Sequence, residues 1–357
     1  MSGGLVSGGL NLEQRYRRVL RMLPGYYRDR WEEDMVAAFL DSWLTGDSEG
    51  DDAILEFCKP SLPEVASVAG LAVRLYLGGA SAPRRYFAWG QAVRYAVLAV
   101  TLVQAVRGLD VLVRTAWSRH VFGWLPVPPA GIATSTPVSI LPPAAWYFVA
   151  YAWIVSFIAL VLGRYRTAQV IAALAIVPDL VWLLQGQFTG GLLPVPPGPW
   201  AFWLLLNLTP VLAMTAFHRD APPAVRLPWL LALPAAYLLV AVPPMVLQAT
   251  GNSAWVPDFS GLYCVLVALA CLAHAPRAWS RRAAGSGVWS LTLTLLAADA
   301  GAYRIFSLAD YRHDPHLIAV SLAELLILVV AVALVAPDSA RAPTATPVPP
   351  PRPRYAR

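Results

Sequence analysis

The residues of this sequence most suited to chemistry are six ionisable side chains inside long apolar runs. They are Arg107, Asp110, Arg114, Asp179, Asp299 and Glu324. The first three are spaced three and four residues apart, which places them on one face of a helix. Charged groups within a membrane are costly, and they often mark ion or proton pathways.

These six residues are predicted to lie at a similar depth. With a rise of about 1.5 Å per helical residue and the orientation derived below, all four acids fall in the outer half of a bilayer. One hypothesis is a ligand-binding or proton-relay cavity that faces outside. A second is a set of charge pairs that fix helix register without a ligand, and a third is that the span ends lie elsewhere.

Other chemistry finds little support in the sequence. The segment SLADYRHDPH contains Asp310, His313, Asp314 and His316, which are zinc or copper ligand types, but no second cluster completes a site. Motifs for a serine nucleophile, a zinc protease, a phosphate-binding loop and a CxxC pair are absent from the sequence. We therefore predict no enzyme activity, no metal, no cofactor and no nucleic-acid partner.

Composition predicts an all-α integral membrane protein. Hydrophobic residues make up 57% of the chain and charged residues only 13%, against about 25% charged in a typical soluble domain. Residues 1–85 carry a net charge of −2, whereas the rest carries +8. We expect a helical cytoplasmic domain over 1–85, a transmembrane domain over 86–337 and a disordered, proline- and arginine-rich tail over 338–357.

Eight apolar runs approach or exceed the roughly 20 residues that a bilayer requires. They are 92–114, 143–162, 167–187, 199–217, 227–248, 259–275, 285–303 and 316–336. One set of connectors holds Arg164, Arg166, Arg219, Arg226, Arg277, Arg281 and Arg282, and the alternate set holds Arg119, Arg304 and Arg312. Cytoplasmic connectors are the arginine-rich ones. The chain is therefore predicted to cross the cell (plasma) membrane eight times, with both termini in the cytoplasm.

The N-terminal domain is predicted to contain three amphipathic helices. Asn11 is expected to cap the first, and Ser61 with Glu64 forms a capping box for the third. An aromatic stripe on the second helix consists of Tyr27, Trp31, Met35, Phe39 and Trp43. The stripe is either the core of this domain or a partner-binding face.

The segment RYRRVLRMLPGYYRDRWEEDMVAAFL resembles the helical prefix that precedes the membrane region of some bacterial permease-like proteins. It resembles even more the N-terminal region of actinobacterial polytopic membrane proteins. The segment PSLPEVASVAGLAVRLYLGG also resembles these actinobacterial proteins. The resemblance covers about the first 80 residues and implies an adaptor module that binds a cytoplasmic protein. No transporter ATPase motif follows it.

The phrase LPVPP occurs at Leu125 and again at Leu193, each time after a predicted outward-going span. Asp110 precedes the first copy by 15 residues and Asp179 precedes the second by 14, which suggests a duplicated helical hairpin. The function expected from the sequence is a non-enzymatic regulatory or signalling membrane protein. The alternative is a proton-coupled transporter that uses the intramembrane acids.

Overall fold

The structure is a computed structural model, and it describes residues 11–44, 55, 57–78, 82–121, 123, 143–188, 197–217, 225–250, 258–279, 286–308 and 314–340. Every regular element within these ranges is helical. The first LPVPP copy and all of the second except Pro197 lie outside the described residues, so the hairpin duplication stays a prediction. The predicted disordered tail begins at 338, but residues 338–340 are helical, and residues 341–357 lie outside the described residues. The chain divides into two compact units, with the boundary between Gly90 and Gln91.

The first unit contains α1 (Leu12–Leu20), α2 (Gly25–Trp43) and α3 (Leu62–Tyr76). The predicted caps are confirmed. Asn11 Oδ1 accepts a hydrogen bond from the Gln14 amide at 2.8 Å, and the Ser61 amide donates to Glu64 Oε2 at 2.6 Å. After α3, Gly78 has φ +68°, a left-handed conformation that glycine adopts without steric cost.

Apolar residues spaced three or four apart on these helices meet in one small core. Its buried members are Leu12, Tyr16, Leu20, Leu23, Val36, Phe39, Val68 and Ala72. On the surface, Arg17 of α1 pairs with Glu33 of α2 at 2.7 Å. Water screens an exposed pair of this kind, so apolar burial is the main force that holds α1 and α2 together.

Nine helices of the described residues lie wholly or mainly in the second unit. They are α4 (Arg84–Ser118), α5 (Pro143–Val161), α6 (Tyr165–Phe188), α7 (Pro197–Ala213), α8 (Arg226–Val240), α9 (Val242–Ala249), α10 (Phe259–Trp279), α11 (Ser286–Leu308) and α12 (Pro315–Ala340). A 3-10 turn, Met214–Ala216, follows α7. The fifth predicted span is interrupted at Ala241, between α8 and α9, because Pro243 and Pro244 lack the N–H groups that would continue the hydrogen-bond ladder.

The second unit has two apolar cores. One lies among α4, α5, α6 and α7, where α6 presents Ala168, Ala172 and Ala175 with no exposed surface. Small side chains one turn apart let neighbouring helices approach closely. The other core lies among α7, α10, α11 and α12 and contains the two cysteines of α10, Cys264 and Cys271, which are free and buried.

Five helical segments in the described part of the chain are long and apolar enough to cross a membrane. They are Arg84–Ser118, Arg226–Ala249, Phe259–Pro276, Gly287–Leu308 and Pro315–Pro337. Two shorter apolar segments, Tyr147–Val161 and Ala201–Ala216, coincide with the second and fourth predicted spans. The helix α6 covers the third predicted span but is not among the five. The helical content and the apolar segments of the structure thus agree with the predicted all-helical membrane protein.

The outer surface of α12 is apolar. Leu322, Leu326, Ile327, Val329 and Val330 are each more than half exposed. A contiguous apolar surface of this kind is unfavourable in water and is suited to contact with lipid. This exposed apolar face agrees with the assignment of Pro315–Pro337 as a segment apolar enough to cross a membrane.

Candidate functional site

Arg107 lies on α4 and is enclosed by aromatic rings from three other helices. Its guanidinium carbon is 4.8 Å from the ring centroid of Trp203 on α7, 5.6 Å from Phe259 on α10 and 5.7 Å from Tyr303 on α11. A desolvated cation over an aromatic ring is stabilised by about 2 kcal/mol. The rings therefore offset part of the cost of holding this charge within the bundle.

Three of the predicted acids, Asp110, Asp179 and Asp299, interact electrostatically with this arginine. Asp179 on α6 accepts a hydrogen bond from the Trp203 side chain and interacts electrostatically with Arg107. Asp299 on α11 accepts a hydrogen bond from Tyr263 Oη at 3.0 Å and also interacts with Arg107. Three of the six predicted residues, Arg107, Asp179 and Asp299, thus interact across α4, α6 and α11.

Uncharged polar residues extend this group. Gln104 lies one turn before Arg107, accepts a hydrogen bond from its Nη1 at 3.3 Å, and donates from Nε2 to Asn207 Oδ1 at 2.7 Å. The same Nε2 is 2.5 Å from Tyr303 Oη. Gln104 and Asn207 are almost fully buried. We did not predict either residue from the sequence, although an amide three residues from Arg107 on the same helix face was a visible signal.

Asp110 and Arg114 form a second group, which agrees with their predicted helix-face spacing. Arg114 Nε is 2.7 Å from Asp110 Oδ2, and Arg114 Nη1 also donates to Gln248 Oε1 on α9. The other oxygen of Asp110, Oδ1, is buried and has no hydrogen-bond partner among the described residues. An unsatisfied carboxylate oxygen inside a protein is unusual and calls for an explanation.

Glu324 pairs with Arg304 rather than with Arg107. Arg304 Nη2 is 2.5 Å from Glu324 Oε2, and Arg304 Nη1 donates to Asp258 Oδ1 at 2.8 Å and Oδ2 at 2.7 Å. The sequence placed Arg304 in a connector because the seventh span was expected to end at residue 303. The helix α11 instead continues to Leu308, and the Arg304 side chain is only 3% exposed.

A glycine permits the two carboxylates around Arg304 to approach α10. A Cβ atom on Gly261 would lie 2.8 Å from Asp258 Oδ1 and 2.8 Å from Glu324 Oε1. Carbon and oxygen atoms in van der Waals contact lie farther apart than this. The candidate site residues predicted from the sequence included neither Gly261 nor Asp258. Asp258 was missed because it lies in a predicted connector.

The charged residues described above form three groups, around Arg107, Arg114 and Arg304, and we use the name interior charge cluster for the eight residues of these groups taken together. They are Arg107, Asp110, Arg114, Asp179, Asp258, Asp299, Arg304 and Glu324. With every carboxylate ionised, five negative groups face three positive ones, so the cluster has a net charge of −2. A proton or a cationic ligand would reduce this excess, and both are chemically possible occupants.

The predicted partner-binding stripe of α2 contributes mostly to the core of the first unit. Phe39 is buried and stacks on Tyr16 with ring centroids 3.9 Å apart. Tyr27, Met35 and Trp43 pack against the same core. Only Trp31 is exposed, at 41%, so it is the member of the stripe that a partner can reach.

The SLADYRHDPH segment lies partly outside the described residues. Asp310 and His313 fall there, whereas Asp314 is described and caps α12 by accepting the amides of His316 at 3.0 Å and Leu317 at 3.2 Å. Among the residues that the structure describes, no group of three or more His, Cys, Asp or Glu side chains is arranged to hold a metal ion.

No protein-family model, curated protein or solved structure matches this chain. Its function must therefore be inferred from the geometry of its own residues. Of these, the interior charge cluster combines buried charges, aromatic enclosure and an unsatisfied carboxylate oxygen, which makes it the candidate site.

Proposed function

We propose that this chain is a proton-coupled transporter of the cell membrane that crosses the bilayer eight times and has both termini in the cytoplasm. The observation that supports this proposal is that Arg107, which is enclosed by aromatic rings, interacts electrostatically with Asp179 and Asp299 on two other helices. Two carboxylates and one guanidinium leave one negative charge uncompensated. A membrane interior strongly disfavours such a charge. Either a proton or a cationic solute would neutralise it, so this group is suited to exchanging one for the other.

The second unit supplies a scaffold that suits this function. Asp179 lies on α6, Asp299 on α11 and Arg107 on α4, so a relative movement of these helices would change which carboxylate is neutralised. The interior charge cluster also includes the Arg304 group, whose pairing with Asp258 and Glu324 ties α10, α11 and α12 together. We assign Arg304 and Glu324 a structural role and Asp179 and Asp299 the coupling role.

The test uses the full chain reconstituted in liposomes that contain a pH-sensitive dye. A transmembrane proton gradient is imposed, and a panel of cationic, neutral and anionic solutes is added in turn. We expect at least one solute to dissipate the gradient with the wild-type protein. Asp179→Asn and Asp299→Asn should abolish that response, while the matched control Asp314→Asn should retain it.

Two results would contradict the proposal. One is a full response in both Asp179→Asn and Asp299→Asn, which would mean that neither acid carries the proton. The other is the absence of a response to every solute by wild-type protein that elutes as a single folded species. Size-exclusion chromatography of each variant separates a loss of coupling from a loss of folding.

A second candidate function is a regulatory membrane protein whose first unit docks a cytoplasmic partner. Exposed apolar side chains favour it: Trp31 on α2 and Leu62, Val73 and Tyr76 on α3 are all more than 40% exposed. A photo-crosslinking amino acid at position 31 of the full chain, in living cells, tests it. One discrete adduct that disappears with Val73→Asp would support docking, and labelling by lipid alone would contradict it.

A further inference from the structure

An apolar groove lies between α4, α8, α10 and α11. Its volume is about 210 Å³, and its lining is almost entirely apolar. Val103, Val106, Val240, Phe259, Tyr263 and Val267 are among the lining residues. An apolar cavity of about 150 Å³ is large enough to stay dry and to bind benzene, so this groove is large enough for part of a hydrocarbon chain.

The groove opens within helices that are apolar enough to cross a membrane. All four of its helices belong to the segments identified above as candidate spans. Ala270, at one side of the groove, is exposed on the surface of α10, next to the exposed Leu269. A chain that enters from the bilayer would therefore reach the groove without crossing water.

Charge is concentrated at one end of the groove. The ring of Phe259 lies under the Arg107 guanidinium at 5.6 Å, and Tyr263 Oη donates to Asp299 at 3.0 Å. Asp110 lies about one helical turn beyond Val106 on α4. The opposite end is lined by Ala99, Ala270 and Leu293, so the groove is apolar along its length and polar at one end only.

The charged end has unused acceptor capacity and excess negative charge. Asp110 Oδ1 and Tyr237 Oη are buried without hydrogen-bond partners among the described residues, and the two side chains interact electrostatically. Asp179 and Asp299 both interact electrostatically with Arg107. An anionic group would be repelled here, whereas a cation would complete the charge balance beside the aromatic rings.

We propose that this groove binds a lipophilic cation, with its hydrocarbon chain between α4, α8, α10 and α11 and its charged group beside Asp110 and Asp299. As a statement of substrate class, the inference rests on the proposed transport function. As a statement of binding, it stands on the shape of the groove and the charge at its end. The occupant is thus an amphiphile with one positive group and a single alkyl chain.

The test measures equilibrium binding of radiolabelled dodecyltrimethylammonium to the full chain in lipid nanodiscs, with empty nanodiscs as the background. Dodecyl sulfate is the matched anion and tetramethylammonium is the head group without a chain. We expect saturable binding of the dodecyl cation and at least about tenfold weaker binding of the other two. Equal or tighter binding of the anion would overturn the proposal.

Two variants locate the site. Ala236→Phe places a ring in the groove, whereas Ala235→Phe, the matched control, places it on the exposed side of α8. Ala236→Phe should weaken cation binding about tenfold or more and Ala235→Phe should not. Asp299→Asn should reduce the preference for the cation over the anion, and Asp314→Asn should leave it unchanged. Unaltered binding in Ala236→Phe would overturn the assignment.

A dodecylammonium probe with a diazirine at the chain end decides the matter if Ala236→Phe fails to fold. In wild-type protein the diazirine should label the apolar end of the groove, near Ala99, Ala270 and Leu293. Labelling confined to other segments would contradict the proposal. Binding is measured independently of flux, so the two proposals can fail separately. Cation binding without proton movement would contradict the transport proposal alone. Proton-coupled flux without cation binding would contradict the groove assignment alone.

Discussion

Arg304 of α11 and Glu324 of α12 form an ion pair whose Nη2 and Oε2 atoms are 2.5 Å apart. The same guanidinium holds Asp258, which immediately precedes α10. Three helices are thus linked through one cation whose side chain is 3% exposed. In such a group the removal of one member leaves the others charged and without compensation.

Arg304→Met should therefore destabilise the protein strongly, because two carboxylates lose their only ion-pair partner among the described residues. Breaking a buried pair from one side typically costs about 3–5 kcal/mol. The measurement is the thermal unfolding midpoint in detergent, followed by size-exclusion chromatography. Arg164→Met is the matched control, because Arg164 is exposed. Equal midpoints for the two variants would show that the pair contributes nothing to stability.

Gly261→Ala should disturb the same group through steric contact alone. Its new Cβ would lie 2.8 Å from both Asp258 Oδ1 and Glu324 Oε1, and Arg304 restrains both carboxylates. We expect a loss of about 1–3 kcal/mol, as for other overpacked sites. Gly301→Ala in α11 is the control, since its Cβ would make ordinary contacts of 3.6 and 3.9 Å. A destabilised Gly301→Ala beside an unaffected Gly261→Ala would contradict this account.

Gly108→Ala should separate α4 from α5. The added Cβ would lie 2.5 Å from the Ala150 carbonyl oxygen, and a backbone atom cannot move aside as a side chain can. The expected result is a lower unfolding midpoint and faster amide exchange over residues 143–161. Gly70→Ala meets nothing within 4 Å and should instead stabilise α3 by up to about 1 kcal/mol. Unchanged exchange in Gly108→Ala would contradict the close contact.

Acid should loosen α3 through Glu64. Burial acts to raise the pKa of Glu64, but hydrogen bonds from Ser61 and Trp43 outweigh it and lower the pKa below its usual 4.5. Because the folded pKa is depressed, the stabilisation is present above the unfolded pKa and is lost as pH falls through the folded one. We expect amide exchange over residues 62–76, corrected for its intrinsic pH dependence, to rise below about pH 4.5.

Glu64→Gln should remove that pH dependence, because the amide does not titrate in this range. Asp29→Asn is the control, since Asp29 is exposed on α2. A variant Glu64→Gln that keeps the acid-induced rise in exchange would assign the effect to another carboxylate. The full chain in detergent is used for both measurements.

Local signals in the sequence were sufficient where the determining contacts lie within a few residues. The Asn11 cap and the capping box of Ser61 and Glu64 follow from hydrogen bonds three residues apart. The pairing of Asp110 with Arg114 follows from the same helical period. The positions of the apolar helices follow from runs of hydrophobic residues, because lipid and buried cores both exclude polar side chains.

Predictions failed where a boundary depended on a distant residue. Arg304 was assigned to a connector because a charge next to an apolar run usually marks the end of a span. The helix continues past it because Asp258, just before α10, and Glu324 on α12 neutralise the charge. The aromatic stripe of α2 was ambiguous for a related reason, since a core and a binding face have the same periodicity.

The sequence by itself determined the helical membrane architecture, the helix caps and six of the eight charges of the interior charge cluster, because each depends on composition or on spacing along one helix. Only the tertiary structure decided which charges meet. It placed Arg107 with Asp179 and Asp299, and Arg304 with Glu324. The physical reason is that helical periodicity defines the face on which a residue lies but not the rotation or neighbours of that helix, which packing among all the helices sets.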